Sequence, residues 1–325
     1  MKKVQKKNSV SYILLLFALM VVMFAAVVVA HSLKGLDSDI LGNSPTITPI
    51  TPTPSLEDET QTPQTTTDPD VTQTPTPVPT PTPTPTPIPI IEEIDESKLV
   101  GLDTTVRSWS WAYPYKEVEK HGGVYRKTND GKVLYLTFDN GYENGFTPRI
   151  LDILKEKNVK AIFFVTGSYI RKNQELVKRM VEEGHLVGNH TNTHPEKTPM
   201  PELSVEKFVE ELVVVEREYE KIFGKGQRMF YYRPPKGLFS IRDLHIAAQM
   251  HYETIFWDLA YKDYGDPVGV EEAINSVIGP IQEGKFVGNG AVILLHSTFE
   301  DNANALATII DTLREMGYEF RRIDE

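Results

Sequence analysis

The stretch VLYLTFDNG, residues 133–141, decides the fold. It begins with aliphatic and aromatic side chains and ends in Asp139, Asn140 and Gly141. A short apolar run that ends in polar and glycine residues predicts a buried strand. A carboxylate at the end of such a strand is costly unless it is paired or has a function. The stretch therefore predicts a core strand that brings a carboxylate to one edge of a sheet.

Apolar runs and helical patterns alternate along the rest of the chain. Strands are predicted at 133–139, 161–165, 186–188, 229–233, 254–257, 291–296 and 318–321. Helices are predicted at 148–157, 173–183, 205–223, 241–250, 270–282 and 302–316. This alternation is typical of parallel strands joined by crossover helices. The sequence predicts an α/β fold of about seven parallel strands, arranged as a barrel or as an open sheet.

Polar residues end or follow four of the predicted strands. Asp139 ends the first strand, His190 and His194 follow the third, Arg233 ends the fourth, and His296 ends the sixth. The carboxyl ends of parallel strands gather on one face, where active sites lie. We therefore expect these side chains to share one site.

The segment HTNTH, residues 190–194, has two histidines four positions apart. In a helical turn both imidazoles share a face and can bind one metal ion. Two imidazoles with one oxygen ligand form a common open site, for which zinc is the default metal. Such a metal acidifies a bound water and polarises a carbonyl group. The alternative is a structural histidine pair.

The other three polar residues also have structural interpretations. Asp139 could cap a turn, and Arg233 in RPPKG (233–237) could form an ordinary salt bridge rather than hold a catalytic carboxylate. His296 could be a core histidine bonded to the backbone rather than a proton donor near neutral pH.

Composition excludes several classes of function. The net charge of −11 argues against a nucleic-acid partner, which requires a basic face. The absence of cysteine excludes thiolate zinc sites, thiol nucleophiles and a lipid anchor on cysteine.

Residues 1–31 are predicted to be a signal anchor or a signal peptide. Lysines at positions 2, 3, 6 and 7 precede the uncharged segment 11–30, whose core of about 17 apolar residues is near the minimum for a membrane span. The basic flank predicts that the rest of the chain is extracytoplasmic. Cleavage after Ala30 is the alternative, and it would release the protein to the cell wall.

Three further segments follow. Residues 32–96 are predicted to be a disordered linker. Its Thr- and Pro-rich part, residues 44–90, reaches on the order of 100 Å or more at about 3.1 Å per residue. Residues 97–131 are predicted to be an extension packed on the catalytic domain. Its aromatic cluster RSWSWAYPY (107–115) is interpreted as a packed flap or as a sugar-stacking surface. Residues 132–325 are the predicted catalytic domain.

Five motifs in their order resemble the polysaccharide deacetylase family, the carbohydrate esterases with a NodB homology domain. They are TFDNG (137–141), HTNTH (190–194), RPPKG (233–237), WDLAYKDY (257–264) and LLH (294–296). The resemblance covers residues 132–322. It implies a distorted (β/α) barrel and a hydrolase that removes acetyl groups from N-acetylated sugars. Peptidoglycan glycan strands would be the substrate. The cofactor would be a divalent metal, by default zinc. No protein partner is implied.

The resemblance also implies roles for individual residues. Asp139 would be the general base, Arg233 the residue that orients it, and His296 the general acid. The backbone N–H of Tyr142 would help to hold the oxyanion. Metal ligation would fall to His190, His194 and Asn140, and substrate contacts to Trp257, Leu294, Pro234 and Asp263.

The chain departs from the family pattern at two positions. Asn140 stands where the family usually has a metal-binding Asp, and a neutral amide oxygen is a poorer ligand, so metal affinity should fall. Ala260 stands where we expect the Asp that tunes the acid histidine. Asp263 or Asp258 would have to compensate.

Both departures resemble one subgroup, the sporulation-linked de-N-acetylases that form muramic δ-lactam. The segments that carry this resemblance are TFDNGYENGFTP (137–148), GNHTNTHP (188–195), YRPPKGLFS (232–240) and LHSTFEDNANAL (295–306). It implies N-acetylmuramic acid as the sugar. The alternatives are deacetylation of N-acetylglucosamine or chitin, an acetylxylan esterase, and a wall-binding module with an impaired site.

Overall fold

The computed structural model describes residues 89–109, 115–127, 131–284 and 288–325. Within these residues the strands are β1 (Arg107–Ser108), β2 (Gly123–Val124), β3 (Val133–Asn140), β4 (Ala161–Val165), β5 (Leu186–Asn189), β6 (Tyr231–Tyr232), β7 (Leu238–Phe239), β8 (Glu253–Ile255), β9 (Leu259–Ala260), β10 (Ala291–His296) and β11 (Glu319–Phe320). The α-helices are α1 (Tyr115–Lys120), α2 (Thr147–Glu156), α3 (Gly167–Lys172), α4 (Gln174–Glu182), α5 (Val205–Phe223), α6 (Ile241–Gln249), α7 (Val270–Glu283) and α8 (Glu300–Glu315).

The main sheet is parallel and follows the order β2-β8-β6-β5-β4-β3-β10-β9, with β11 beside β3. After β2, Arg126 forms an antiparallel bridge to Ala291, and the Lys127 N–H donates to the Gly290 carbonyl at 2.9 Å. Because β2 is one end of the strand path, this bridge connects that end to β10. The architecture fits the expected distorted barrel.

The sequence predicted seven strands of this sheet and missed β2 and β9. Each of these is two residues long, which is too short for a hydrophobic period. The predicted helix at 205–223 is confirmed by α5, and five other predicted helices differ from the structure by one or two residues at their ends. Helix α3 was not predicted; it begins after Thr166, whose hydroxyl accepts from the Tyr169 N–H at 3.1 Å.

Strand β3 is buried along its whole length, as expected for a parallel strand covered on both faces. Leu134, Leu136 and Phe138 pack in the large core cluster that includes the apolar faces of the helices. Val133 and Tyr135 belong to a second, smaller cluster inside the barrel. Since side chains alternate along a strand, Thr137 and Asp139 share the inner face with Val133 and Tyr135. Alternation therefore directs the Asp139 carboxylate into the barrel.

The segments before β3 contact the domain closely. Ile90, Ile91 and Ile94, which we had assigned to the linker, pack against the core because their apolar side chains are removed from water there. Strand β1 pairs antiparallel with β7, and Trp109 is buried and stacked on Phe256 at 4.6 Å. Residues 123–124, which we had assigned to the extension, are a strand of the main sheet.

The predicted signal anchor at 1–31 and most of the predicted linker, residues 32–88, lie outside the described residues. In the part of the chain that the structure describes, no helix has both the length and the apolar character needed to span a membrane.

A buried polar network joins α5 to the sheet. Arg228 and Glu216 form an ion pair at 3.2 Å, and both side chains are fully buried. The Tyr252 hydroxyl donates to Glu216 at 2.6 Å, and the Asn189 amide donates to the Tyr252 hydroxyl at 2.9 Å. Because Asn189 directly precedes His190, this network supports the loop that carries the two predicted histidine ligands.

The Glu216→Ala variant should lose about 3–5 kcal/mol of unfolding free energy, because Arg228 is left as an unpaired buried charge. Denaturant titration measures the loss. The matched control is Glu218→Ala on the same helix, which removes pairs with the exposed side chains of Lys221 and Arg171 and should cost under about 1 kcal/mol. Equal losses in the two variants would contradict the importance assigned to the buried pair.

Candidate active site

Asp139 and Arg233 form a buried pair inside the barrel. The guanidinium Nη1 donates to Asp139 Oδ1 at 2.8 Å and to the Thr137 hydroxyl at 2.9 Å. Arg233 Nε and Nη2 donate to the carbonyls of Ile255 and Phe256. These bonds fix the guanidinium, so one oxygen of Asp139 is held while Oδ2 is left for other partners.

The charge state of Asp139 is set by its neighbours. Burial alone would raise the pKa of this carboxyl, but the nearby charges of Arg233, His190 and His296 and the hydrogen bond from Arg233 outweigh it. The pKa of Asp139 is therefore below its ordinary value, and the group is an anion at neutral pH.

His190 lies directly against this pair. Its Nδ1 bonds the Arg233 carbonyl at 2.8 Å, and its Nε2 lies 3.5 Å from Asp139 Oδ2. The carbonyl is an acceptor only, so Nδ1 carries the proton and Nε2 keeps its lone pair. Burial lowers the pKa of His190 to about 4, so the ring is neutral at neutral pH. A neutral imidazole with one nitrogen fixed by a carbonyl is the usual form of a metal-binding histidine.

The prediction that HTNTH forms a helical turn is wrong. Thr191 and His194 have positive φ values of 68° and 50°, which a right-handed helix cannot contain. The loop is fixed by bonds from the Thr191 N–H to Asn189 Oδ1 and from the His194 N–H to the Thr191 hydroxyl. The rings of His190 and His194 still meet, with centroids 5.1 Å apart. The two imidazoles are thus brought together by loop geometry.

Asn140 directly follows Asp139 in the chain and is fully buried. Its Nδ2 donates to Ser297 Oγ at 2.7 Å and to Thr147 Oγ1 at 3.3 Å. Its Oδ1 is buried without a hydrogen-bond partner among the described residues. Within those residues no cluster of three His, Asp or Glu side chains could hold a metal ion. An unpaired amide oxygen and two imidazoles are ligand types that divalent cations accept.

His296 ends β10 in register with Asp139 on the neighbouring strand β3. Its Nδ1 bonds Asp263 Oδ1 at 2.7 Å, and its backbone N–H donates to Asp263 Oδ2 at 2.6 Å. Burial would lower the pKa of His296, but the hydrogen bond and charge of Asp263, together with the charge of Asp139, outweigh it. The pKa of His296 is therefore above its ordinary value, which suits a proton donor near neutral pH.

The carboxylate missing at Ala260 is supplied from three residues further along the chain. Asp263 was named both as a substrate contact and as a residue that could compensate for Ala260. The structure places it behind His296, 4% exposed and hydrogen-bonded at both oxygens, which fits the second expectation. Asp258 does not reach His296, because its carboxylate pairs with Arg126.

The remaining predicted residues surround the same end of the barrel. Leu294 lies two residues before His296 on β10 and is buried, and Pro234 is buried in the loop after β6. Trp257 is partly exposed and lies 5.7 Å from the Arg233 guanidinium. Tyr142 is 55% exposed, and no described residue accepts a hydrogen bond from its backbone N–H.

Sequence reasoning missed the polar residues behind the site. Ser297 and Thr147 orient Asn140, and Asn302 bonds Asp263. All three lie within segments that carried the subgroup resemblance, TFDNGYENGFTP and LHSTFEDNANAL. The signal that could have found them is the presence of short polar side chains near Asp139 and His296 in the sequence.

A parallel barrel that brings a buried carboxylate, a carboxylate-bonded histidine and a pair of imidazoles to the carboxyl ends of its strands is typical of a hydrolase site. The family model described as polysaccharide deacetylase matches residues 126–255. The chain belongs to the polysaccharide deacetylase family.

Two curated relatives and one solved structure show the likeness. The peptidoglycan-N-acetylmuramic acid deacetylase PdaA of Bacillus subtilis is 40% identical over 210 residues, covering 64% of this chain and 76% of that protein. A peptidoglycan-N-acetylglucosamine deacetylase of Bacillus cereus is 32% identical over 216 residues, covering 65% and 95%. The structure of Bacillus subtilis PdaA, titled a family 4 carbohydrate esterase, matches with a TM-score of 0.62 and 35% identity, covering 68% of this chain and 96% of that one.

Proposed function

We propose that the protein hydrolyses the N-acetyl group of N-acetylmuramic acid in peptidoglycan. The observation that carries the proposal is the pairing of two acid–base groups across β3 and β10, with Asp139 held by Arg233 and His296 held by Asp263. The relative named as an N-acetylmuramic acid deacetylase supports the choice of sugar. Formation of muramic δ-lactam during sporulation is the corresponding biological role.

Asp139 is the general base in this proposal. Arg233 occupies Oδ1, so Oδ2 is the oxygen that removes a proton from the attacking water. The lowered pKa keeps the carboxylate ready to accept a proton at neutral pH. Arg233 orients the base. Its bonds to Thr137 and to two backbone carbonyls fix the guanidinium, and the guanidinium holds Asp139 Oδ1.

His296 is the general acid. Because Nδ1 is bonded to Asp263, Nε2 is the nitrogen that faces the departing amine. The raised pKa keeps the ring protonated to higher pH than an ordinary histidine, so that it holds the proton that the departing amine receives. Asp263 is therefore reassigned from substrate contact to support of the acid.

His190, His194 and Asn140 would hold a divalent metal, by default zinc, through the nitrogen and oxygen atoms left free by their hydrogen bonds. When bound, the metal supplies polarisation of the acetamide carbonyl. The backbone N–H of Tyr142 stabilises the developing oxyanion. Trp257, Leu294 and Pro234 form the walls that hold the acetyl methyl group.

The Asn140→Asp variant should bind zinc more tightly by about tenfold or more, because a carboxylate adds a charge where the amide oxygen is neutral. Isothermal titration calorimetry without substrate measures the dissociation constant. Asn192→Asp is the matched control, since it adds the same charge to the HTNTH loop beside Arg171. Equal affinity in the parent chain and the Asn140→Asp variant would remove Asn140 from the ligand set.

The segment at 11–30 anchors the catalytic domain to the outer face of the membrane in this proposal, or is cleaved after Ala30. The Thr/Pro-rich linker would then carry the domain into the wall, over on the order of 100 Å. Fractionation of cells into membrane, wall and medium tests the anchor. Recovery of the full-length chain only in the cytoplasm would overturn it.

Acetate release from purified peptidoglycan, measured with and without a chelator, tests the proposed activity. We expect release from the untreated protein and a loss after chelation. Release from chitin or N-acetylglucosamine oligomers alone would favour the second candidate, which the Bacillus cereus relative supports. Binding to the wall without any release would favour an impaired binding module.

A further inference from the structure

Helix α8, which follows β10, carries a buried amide, Asn302, that has no acid–base role. Asn302 lies in the first turn of α8 and is 3% exposed. Its Nδ2 donates to Asp263 Oδ2 at 2.5 Å and to the His296 carbonyl at 2.8 Å. One side chain therefore contacts both the acid histidine and the carboxylate behind it.

Asp263 depends on this contact for its position. It lies in a loop after β9, and its own N–H donates to the Tyr261 carbonyl at 2.9 Å, which is the bond of a three-residue turn. Its Oδ1 meets the His296 ring, while its Oδ2 accepts from the His296 N–H and from Asn302. Besides His296, Asn302 is therefore the residue whose hydrogen bond holds the Asp263 carboxylate.

The orientation of the Asn302 amide is itself determined. The Tyr261 hydroxyl donates to Asn302 Oδ1, which directs the oxygen to Tyr261 and the NH₂ group to Asp263. A reversed amide would place its oxygen against the carboxylate and would lose both bonds. The chain Tyr261–Asn302–Asp263–His296 therefore has one satisfied arrangement.

We propose that Asn302 is a positioning residue for the general acid, and that its amide fixes Asp263 so that His296 keeps Nδ1 on the carboxylate and Nε2 toward the leaving amine. The inference deepens the proposed function and rests on it. Asn302 touches no reacting atom, and it acts through Asp263.

The groups that face His296 are Asp263 at Nδ1, Asp139 and Arg233 by charge, and the Tyr264 ring at 5.3 Å. The recess behind this network, lined by Tyr261, Asp263, Phe299 and Asn302 among others, has no room for a water molecule. Without the amide, Asp263 Oδ2 would keep the bond from the His296 N–H and lose the one from Asn302. The pairing with His296 would then weaken.

The first test needs no substrate, so its outcome is independent of the proposed function. The pKa of His296 is measured by NMR titration of the imidazole nitrogens in the full chain, with its signal among the eight histidines assigned from His296→Gln. In Asn302→Leu we expect that pKa to fall by about half a unit or more, because Asp263 no longer stabilises the imidazolium as well. An unchanged pKa would overturn the inference.

The second test is kinetic and uses a matched control. We expect kcat of Asn302→Leu to fall about 10- to 100-fold with KM nearly unchanged, and the alkaline limb of the pH profile to move to lower pH. Asn144→Ala removes another amide that ties the same connection, through the Thr298 carbonyl, and should leave that limb in place. If both variants lose kcat equally and the alkaline limb of the pH profile does not move, the role of Asn302 is merely structural.

Should Asn302→Leu fail to fold, Tyr261→Phe carries the same test. It keeps the ring and removes only the hydroxyl that orients the amide. A smaller fall of the His296 pKa in the same direction is expected, and no fall would overturn the inference. A parent chain that releases no acetate while Asn302→Leu still lowers the His296 pKa would refute the proposed function and leave the network intact.

Discussion

Replacing Asp139 with Asn should reduce kcat about 1,000- to 10,000-fold, the upper range for loss of a general base. The amide has the shape of the carboxylate, but it cannot accept a proton from water. Steady-state acetate release from peptidoglycan at neutral pH measures the loss. Because Asn fills the same buried space as Asp139 and the neighbouring residues are unchanged, the loss of kcat reports the missing base and not altered packing.

The change also leaves Arg233 without its anion, so the fold must be monitored by circular dichroism and thermal melting. Asp152→Asn is the matched control: it removes a carboxylate that pairs with Arg179 on the exposed surface. We expect parent activity in the control. An Asp139→Asn variant that folds and keeps more than about a tenth of the parent kcat would show that another group is the base.

Replacing His296 with Gln should lower kcat about 100- to 1,000-fold, because the amine would leave without a proton donor. The pH profile of kcat gives the more specific test of His296. A raised pKa keeps His296 protonated to higher pH than an ordinary histidine, so the parent should lose activity as the pH rises through that pKa. In His296→Gln this alkaline limb should disappear, while the acidic limb that reports Asp139 should remain.

His251→Asn is the matched control for this variant. His251 is exposed and has a φ of 64°, a conformation that Asn tolerates well. The control should retain both limbs of the profile and the parent kcat. Retention of the alkaline limb in His296→Gln would assign that limb to a different group.

The sequence predicted that the side chains of the site would meet because they stand at the ends of recognisable strands. Asp139 and His296 end apolar runs that could be recognised as strands, and parallel pairing then brings them side by side. The same reasoning placed Arg233 near them. It could not show that three further bonds would fix the guanidinium that holds Asp139, since two of the acceptors are backbone carbonyls at the end of β8.

The misplaced features depended on loop conformation. The family pattern places the supporting carboxylate at position 260, and the sequence left Asp263 and Asp258 open as substitutes. A three-residue turn at Tyr261–Asp263 directs the carboxylate of Asp263 to His296. The i, i+4 spacing of HTNTH suggested a helix, whereas positive φ values at Thr191 and His194 create the contact instead. Backbone turns of this kind depend on tertiary hydrogen bonds, which a local pattern does not contain.

The central claim is that the two acid–base pairs act on the acetamide of N-acetylmuramic acid. Treated peptidoglycan, digested with a muramidase and analysed by tandem mass spectrometry, shows which sugar has lost one acetyl group. The account predicts the loss on muramic acid with the parent chain and on no sugar with Asp139→Asn. Loss on glucosamine alone, or an equal loss with the variant, would contradict it.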